Sequence, residues 1–304
     1  MPLVSVIMPS YNHEKFISKS IESILNQTIR DLELIIVDDA SIDNSRKIIE
    51  SYAQKDSRIH FFMHEKNLGI SKTVNDAISK TTGDFLALFS SDDLWLPEKI
   101  EKELEILKND ENLVVWSEGQ VIDDTDNPLG VTFTEMHGAQ NKKKSGNIFE
   151  ELVRGNYICG QSLMVKRENF NIFLYDPKYK YLNDYKIMLE LSRSYEFYFI
   201  PECLVMYRWH PKNTIQVQRD DCWKEDIALK MEVLSDLSNG FSKTTKSVVY
   251  QQLSVESLKI NNIPRSLTLV FRAIGYSPLR TPYIVYDYSC AFWESTLKSH
   301  HRKN

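Results

Sequence analysis

The sequence predicts an α/β fold in which helices flank a mainly parallel central sheet and a helical extension follows at the C-terminus. Short apolar runs such as Leu32–Val37 and Asp84–Phe89 have the length of strands, and their lack of polar alternation is typical of strands buried on both faces. Segments with helical spacing separate these runs, so strand and helix alternate roughly every 25 residues at first. This rhythm indicates right-handed crossovers between parallel strands.

Local patterns define the elements of residues 1–110. Apolar residues in Glu14–Thr28 recur at i, i+4, i+7 and i+8, which predicts a helix. Gly69 can adopt a positive φ before the third helix, and Pro97 suits the first turn of the fourth. The predicted strands and helices, in chain order, are Val4–Met8, Glu14–Thr28, Leu32–Val37, Ile48–Ala53, Arg58–His64, Val74–Ile78, Asp84–Phe89 and Ile100–Leu107.

The regular alternation stops after Asn109. We expect residues 111–220 to form a second half of the same domain as residues 1–110, and residues 221–304 to form a helical region. The predicted elements are the strand Leu113–Trp116, the helix Ile148–Arg154, the strand Ser162–Val165, the helix Asn183–Ser194, strand segments in Phe197–Trp209 broken by Pro201, and the helices Asp226–Ser238, Lys243–Ile260 and Arg265–Ile274.

Composition narrows the class of protein. Of the 304 residues 42% are hydrophobic and 26% charged, which is typical of a folded globular protein, and the net charge of −5 argues against a nucleic-acid binder. Cys159, Cys203, Cys222 and Cys290 lack metal-ligand spacing and are expected to be reduced thiols. The N-terminus enters a strand without a signal peptide, and no apolar run reaches the ~18 residues of a membrane span, so we expect a cytoplasmic protein.

Paired acidic residues follow two of the predicted strands. Asp38-Asp39 closes the second strand and Asp92-Asp93 closes the fourth, so both pairs are expected at the carboxyl edge of the sheet, near the turn Pro9–Asn12. Converging carboxylates repel one another, and a divalent cation that prefers oxygen ligands would offset their charge. The alternative is that the second pair lies in a solvated turn and that a member of the first pair only caps the next helix.

Several ordered motifs, taken together, resemble those of family 2 glycosyltransferases. Their order and spacing make the resemblance far more specific than any single motif, and it covers roughly residues 3 to 215. The motifs are Val4–Asn12, Ile21–Thr28, Leu34–Ser41, Asn67–Gly69, Ala77, Gly83-Asp84, Ser91–Asp93, Asn183-Asp184 and Tyr207–His210.

The resemblance implies a GT-A fold and a metal-dependent glycosyltransferase of the hexosyltransferase type. Such an enzyme moves a sugar from a nucleotide-diphospho-sugar to a hydroxyl group, with Mn²⁺ or Mg²⁺ as cofactor and inversion at the anomeric carbon. Residues 1–110 would then bind the nucleotide sugar, and residues 111–220 the acceptor, a glycan or lipid-linked glycan in bacterial polysaccharide or surface glycan synthesis.

Two other functions remain open. A sugar-nucleotide nucleotidyltransferase would also be an α/β protein with metal-binding acids, but it would usually carry a Gly-rich phosphate loop after the first strand, and the turn Pro9–Asn12 has no glycine. A non-catalytic module that binds nucleotide or carbohydrate is the second alternative. A dinucleotide oxidoreductase is disfavoured for lack of a G-x-G-x-x-G motif.

The resemblance also assigns donor-binding roles by position. Pro9, Tyr11 and Asn12 would line the pocket for the nucleotide base, Asp39 would bond the base, and Asp92 would reach the ribose. UDP is the favoured nucleotide because a carboxylate that accepts an N–H suits uracil; thymine would fit as well.

Three further residues would carry the chemistry by the same resemblance. Asp93 would ligate the cation, and His210 would complete the metal shell or contact phosphate, with a structural histidine as the alternative. Many family members have an acid where Ser90 or Ser91 stands, so the acidic motif is shorter here. Asp184 would be the general base, and a position at the start of a helix keeps its carboxylate ionised; an ordinary helix-terminal acid is the alternative.

Aromatic and basic residues crowd the C-terminus. Such a segment can lie at a bilayer interface, where it would meet anionic lipid that carries the acceptor at the inner face of the membrane. The alternative, which the sequence favours, is an aromatic helix that packs on the catalytic domain or in a homodimer. The residues are Arg280, Tyr283, Tyr286, Tyr288, Phe292, Trp293, Lys298, His300, His301, Arg302 and Lys303.

Overall fold

The computed structural model describes residues 3–142, 144–170, 174–236, 240–289 and 291. The chain divides into two compact units: Met1–Phe149 with Asn156–His210, and Glu150–Gly155 with Pro211–Asn304. The division of donor and acceptor binding between residues 1–110 and 111–220 stays a prediction.

A nine-stranded sheet organises the described part of the first unit. Its strands are β1 (Val4–Ser10), β2 (Leu32–Asp38), β3 (Ile59–Met63), β4 (Phe85–Leu88), β5 (Leu94–Trp95), β6 (Val114–Ile122), β7 (Pro128–Thr132), β8 (Met164–Lys166) and β9 (Phe197–Arg208). Side by side they run in the order β3-β2-β1-β4-β8-β6-β9-β5, and β7 pairs with β6.

The first four strands of the chain pair in parallel, as predicted. β2 and β4 flank β1, and β3 pairs with β2. All seven residues of β2 are buried, as its mostly apolar sequence predicts. In register, Ser10 lies opposite Asp38 and Ile7 lies opposite Leu88, so the carboxyl ends of β1, β2 and β4 meet at one edge of the sheet.

The part of the sheet formed by β5 to β9 is mixed. The prediction of mainly parallel strands therefore holds for β1 to β4 but not for this part. β8 runs antiparallel to both β4 and β6, and β5 and β7 are also antiparallel to their partners, whereas β6 and β9 are parallel. These antiparallel strands are only two to five residues long, so they carry too little periodicity to predict a direction.

The largest differences from the predicted strands concern β6 and β9. β6 continues to Ile122 beyond the predicted end at Trp116, because its polar residues are paired: Glu118 accepts hydrogen bonds from the amide and hydroxyl of Thr134. Pro201 does not break β9. The ladder between β6 and β9 shifts register beside it, and such a bulge accommodates a proline.

Helices flank the sheet and make up most of the second unit. In the first unit the apolar faces of the first and fourth helices enter the same core cluster as β1 and β2. The helices are α1 (Ile17–Leu25), α2 (Ser45–Ala53), α3 (Ile70–Ile78), α4 (Lys99–Leu107), α5 (Phe133–Met136), α6 (Phe149–Val153), α7 (Arg167–Phe170), α8 (Asn183–Ser194), α9 (Thr214–Val217), α10 (Arg219–Asp236), α11 (Lys243–Lys259) and α12 (Ile263–Tyr276).

The second unit contains the predicted C-terminal helices. The Ser242 hydroxyl accepts from the Thr245 amide at the start of α11. The side-chain carbonyl of Asn262 accepts from the Arg265 amide at the start of α12. Residues 281–289 are also helical. Within the described residues, no helix combines the length and apolarity that crossing a bilayer requires.

Part of the predicted C-terminal cluster lies outside the described residues. Arg280, Tyr283, Tyr286 and Tyr288 are described. The members outside the described residues are Phe292, Trp293, Lys298, His300, His301, Arg302 and Lys303.

Candidate functional site

The candidate site lies at the carboxyl edge of the parallel strands. The chain leaves β1 after Ser10, β2 after Asp38 and β4 after Leu88, and each exit loop carries predicted site residues. The first two loops are joined by reciprocal hydrogen bonds: the Asn12 amide donates to the Ser41 hydroxyl at 2.9 Å, and the Ile42 amide donates to the Asn12 side-chain carbonyl at 2.9 Å.

Asp38 holds this pair of loops in place. Its carboxylate accepts from the Ser10 hydroxyl at 3.1 Å and from the Ser41 amide at 2.8 Å and hydroxyl at 2.6 Å. Its side chain is buried. Asp38 therefore orders the turn after β2; it does not cap α2, the role that we considered for one member of this pair, because the N-cap residue of α2 is Asn44.

Asp39 joins the loop after β2 to the start of α3. Its carboxylate accepts from the amides of Leu68 and Gly69, both at 2.8 Å, and lies 2.7 Å from Nδ1 of His64. Gly69 has the predicted positive φ, of 85°. The role of Asp39 toward a nucleotide base stays a prediction, as do those of Pro9, Tyr11 and Asn12 on the same edge.

Asp92 and Asp93 are adjacent but have different partners. Asp93 Oδ1 accepts from the Arg208 amide at 2.7 Å, whereas Asp92 Oδ2 lies 3.1 Å from Nε2 of His210 and 4.0 Å from Nε2 of His13. The Arg208 guanidinium, itself buried, donates to the main-chain carbonyl of Asp92 at 2.6 Å. The end of β9 is thus fixed against both acids.

Electrostatics separates the two acids. Burial and then the adjacent charge of Asp92 raise the pKa of Asp93 well above its usual value. Burial also acts to raise the pKa of Asp92, but the charges of His13 and His210 outweigh it, so the pKa of Asp92 is lowered. Asp92 is therefore the member of the pair that keeps its negative charge.

His13, Asp92 and His210 form the candidate metal centre. One ligand atom of each lies within 4.8 Å of the other two. Two imidazoles and a carboxylate suit a first-row divalent cation such as Mn²⁺. We predicted His210 as a ligand, but with Asp93 instead of Asp92, and the ligand role of Asp93 stays a prediction.

Sequence reasoning missed His13 entirely. The available signal was a histidine directly after the turn Pro9–Asn12, at the edge where the acids converge. The family resemblance did not assign this position a role, so the residue was passed over.

Asp184 lies in the first turn of α8, as predicted. Its Oδ1 accepts from the Tyr185 amide at 2.7 Å, and burial raises its pKa. A Cβ added to Gly160 would lie 3.2 Å from Asp184 Oδ2, so the glycine leaves room for the carboxylate. The next residue, Gln161, donates from Nε2 to the Ser90 hydroxyl at 2.6 Å and so ties this turn to the acidic loop.

The predicted base and the acidic pair act electrostatically on the same phenol. Burial first, and then acidic groups that include Asp93, Asp92 and Asp184, raise the pKa of Tyr207 well above its usual value. The hydrogen bond from Gln161 to Ser90, next to Gly160, links the surroundings of Asp184 to the acidic loop, although Asp184 lies far from that loop in sequence. A divalent cation can stabilise a leaving anion, and a carboxylate such as that of Asp184 can accept a proton.

Comparison with known proteins decides the family. The family model "Glycosyl transferase family 2" matches residues 5–173. The chain belongs to glycosyltransferase family 2. It is 35% identical over 211 residues to an uncharacterized glycosyltransferase of Methanocaldococcus jannaschii, covering 68% of this chain and 71% of the relative. It is 30% identical over 208 residues to TuaG of Bacillus subtilis, named provisionally for teichuronic acid biosynthesis, covering 68% and 79% of the two chains.

Solved structures show the same fold for this family 2 glycosyltransferase. S. aureus TarS 1-349 in complex with UDP-GlcNAc superposes with a TM-score of 0.65 at 15% identity, covering all of this chain and 92% of TarS 1-349. The mannosyltransferase PcManGT of Pyrobaculum calidifontis, in complex with GDP-Man and Mn²⁺, gives a TM-score of 0.62 at 14% identity and 88% coverage of that chain. The predicted GT-A-like fold is confirmed.

Proposed function

We propose that this chain is an inverting, metal-dependent glycosyltransferase that moves a sugar from a UDP-sugar to a hydroxyl group of a glycan or lipid-linked glycan. The observation that carries the proposal is a His-Asp-His cluster at the carboxyl edge of a GT-A-like sheet, together with a half-buried acid in the first turn of α8. The residues involved are His13, Asp92, Asp184 and His210.

Asp92 and His210 would hold the cation. A bound divalent ion would offset the charge that develops on the departing diphosphate. Asp92 suits this role because its lowered pKa keeps the carboxylate ionised. Arg208 fixes the main chain of Asp92, since its guanidinium donates to the main-chain carbonyl of Asp92. The same guanidinium contacts Asp126 at 2.6 Å.

Asp184 would accept the proton of the acceptor hydroxyl. Attack on the face opposite the leaving diphosphate is an in-line displacement, which inverts the anomeric carbon. A carboxylate with a raised pKa is a better proton acceptor than an ordinary aspartate, provided that it remains ionised at the working pH. Because Gly160 has no side chain, the space beside Oδ2 of Asp184 is not filled from that position.

Asp39 would read the base, with Pro9, Tyr11 and Asn12 around it. A carboxylate has about four lone-pair positions. In Asp39 two donors meet Oδ1 and one meets Oδ2, which leaves capacity for one more N–H at Oδ2. The imide N–H of uracil or thymine would fill it. Tyr11, 43% exposed, can stack on a base at this edge.

The polysaccharide context rests on relatives. TuaG and the provisionally named glycosyltransferase EpsE, both of Bacillus subtilis, are among them, and the name of TuaG refers to teichuronic acid biosynthesis. Family membership weighs against the nucleotidyltransferase alternative. A non-catalytic module of this family is the remaining alternative.

The test of this proposal is turnover by the full chain with a panel of UDP-, dTDP- and GDP-sugars, with and without Mn²⁺. We expect Mn²⁺-dependent release of UDP and a β product from an α donor, or the reverse. Binding of UDP without any turnover across acceptors, with Asp184→Asn indistinguishable from wild type, would favour the binding module. Retention of the anomeric configuration would contradict the role of Asp184.

We also propose that the second unit binds an anionic membrane surface. α12 exposes an apolar stripe at i, i+4 and i+8, Ile263, Leu267 and Phe271, of which Phe271 is 70% exposed. Residues 263–304 contain six Lys or Arg and two Asp or Glu, in a chain whose net charge is −5. Apolar surface with local positive charge is typical of interfacial helices, and it would bring the enzyme to a lipid-linked acceptor.

Vesicle flotation of the full chain tests this surface. Vesicles with phosphatidylglycerol should bind the protein, phosphatidylcholine alone should not, and salt should weaken binding. Leu267→Ser with Phe271→Ser should reduce binding, whereas Leu129→Ser, which changes an exposed leucine of β7, should not. Absence of wild-type binding, or loss of a homodimer instead of vesicle binding in the double variant, would overturn the membrane proposal.

A further inference from the structure

We infer that His13 is the third protein ligand of the metal, so that the site holds its cation by two imidazoles and one carboxylate and prefers Mn²⁺ and later first-row ions to Mg²⁺. This inference rests on the proposed function, because it assigns a ligand to the metal that the transfer reaction would use. It adds a residue that the family resemblance did not assign.

The position of His13 suits a ligand. Its Nδ1 lies 2.7 Å from the Ser91 hydroxyl, and its amide donates to the Ser45 hydroxyl at 2.9 Å. In the tautomer with its proton on Nδ1, this nitrogen donates to Ser91 and the lone pair of Nε2 is available, which is how a neighbouring acceptor usually orients a metal-binding histidine. That Nε2 is the nitrogen that faces Asp92.

The distances between Asp92 and the two imidazoles are compatible with a shared cation. Two ligands that hold one ion through bonds of about 2.1 Å lie about 3 to 4 Å apart. Asp92 Oδ2 is 3.1 Å from Nε2 of His210 and 4.0 Å from Nε2 of His13. The 4.0 Å separation is too long for a hydrogen bond, yet it is within the reach of a common metal ion.

Two side chains of the acidic loop already have partners within the protein. The Ser90 hydroxyl accepts from Nε2 of Gln161 at 2.6 Å. Asp93 is engaged by the Arg208 amide. The His13 side chain remains 27% exposed, in contrast to 4% for His210, so the cluster is open on the His13 side.

The ligand set carries the metal preference. Mg²⁺ requires oxygen ligands and keeps its waters, whereas imidazole suits the later first-row ions, and Mn²⁺ accepts both. Two imidazoles among three protein ligands should therefore disfavour Mg²⁺. Replacement of His13 should therefore weaken Mn²⁺ binding more than Mg²⁺ binding, so that the difference between the two affinities becomes smaller.

Pulsed electron paramagnetic resonance of Mn²⁺ with the full chain and excess UDP tests the inference, because coordinated imidazole gives a nitrogen modulation that free Mn²⁺–UDP lacks. We expect two coupled nitrogens in wild type, one in His13→Gln, and a Kd for Mn²⁺ about tenfold higher in that variant. Ser91→Ala, which removes the orienting hydroxyl, should weaken Mn²⁺ binding by a smaller factor. His60→Gln, at a 48%-exposed side chain of β3, is the matched control.

The outcomes separate this inference from the proposed function. One nitrogen in wild type, unchanged by His13→Gln, would overturn the role of His13 and leave a metal held by Asp92 and His210. A spectrum identical to that of Mn²⁺–UDP in buffer would remove the metal centre from the proposed function as well. Circular dichroism of each variant establishes that the fold is retained.

Discussion

Two acidic pairs follow two parallel strands of the same sheet, yet they have opposite surroundings. Asp38-Asp39 is surrounded by donors from its own and neighbouring loops: the Ser41 amide, the amides of Leu68 and Gly69, and hydroxyl groups. Asp92-Asp93 receives one main-chain amide, from Arg208, and two imidazoles face it. Both carboxylates of the first pair therefore have hydrogen-bond donors within the protein. The second pair faces the two imidazoles of the proposed metal site.

The difference shows that the neighbours of an acidic pair, and not the pair itself, decide its use. The β2 loop runs beside the start of α3, where helix-start amides are available. The β4 loop instead meets the turn after β1 and the end of β9, which bring His13, Arg208 and His210. The hydrogen bonds of the first pair therefore stabilise the loops, whereas in the second pair burial and the charge of Asp92 disfavour the charged form of Asp93.

The largest effect should come from Asp92→Asn. Loss of the central carboxylate removes metal binding, and we expect turnover to fall about 10³-fold, the scale of a lost electrostatic group at a reacting centre. Stability should hardly change, because the substitution also removes the repulsion with Asp93. Steady-state kinetics and thermal unfolding measure the two effects.

Asp110→Asn is the control for that substitution, since this acid caps a turn through the Asn112 amide, between α4 and β6. It should leave turnover unchanged. If Asp92→Asn keeps Mn²⁺-dependent turnover, or unfolds, then Asp92 has a structural role and not a metal-binding one.

The sequence predicted where the acids lie but not which of them acts. The strand and helix alternation placed both pairs at one edge, because parallel strands with crossover helices share an orientation. The position of Asp184 also followed from the resemblance. The sequence did not predict that Asp92, and not Asp93, lies beside His210. That arrangement depends on which side of the loop each carboxylate faces after β9 has paired with β6, a contact between distant segments.

The second largest effect should come from Asp184→Asn. Asparagine cannot take the acceptor proton, so turnover should fall about 10²- to 10³-fold while UDP binding is retained. Glu190→Gln, on the same helix and paired with Lys186, is the matched control. Equal loss of UDP binding and turnover in Asp184→Asn would assign this residue to the donor pocket instead.

Asp184 also predicts a pH dependence. Its base form is lost as the pH falls through its raised pKa, so the acid limb of kcat/KM should lie above the ordinary aspartate value of about 3.9. Because the folded pKa is raised, the group favours folding at low pH, and this contribution is lost as the pH rises through the folded pKa. Asp184→Asn should therefore unfold at a higher temperature than wild type at neutral pH, and a lower temperature would contradict the burial of an ionised base.

A smaller effect, on stability, should come from Asp39→Asn. An amide can accept only part of what the carboxylate accepts from Leu68, Gly69 and His64, and the loss should be about 2 kcal/mol of unfolding free energy. Calorimetry should show a Tm lower by about 4–8 °C. Glu65→Gln, an exposed neighbour, should change stability by under about 0.5 kcal/mol. An unchanged Tm would mean that the first pair is as available to ligands as the second.

The smallest effect should come from Gly160→Ala. This variant tests whether the space left by the missing side chain of Gly160 positions the Asp184 carboxylate. The new methyl would lie 3.2 Å from Asp184 Oδ2, a few tenths of an ångström too close, so the base should shift. We expect kcat to fall about tenfold with UDP binding unchanged, since small misplacements of a reacting group cost up to about 10²-fold. Gly119→Ala is the matched control, because a methyl there would make ordinary contacts at 3.5 Å or more. If both variants keep full activity, the steric positioning of Asp184 is not needed; if both lose it equally, the loss reports backbone stiffening and not displacement of the base.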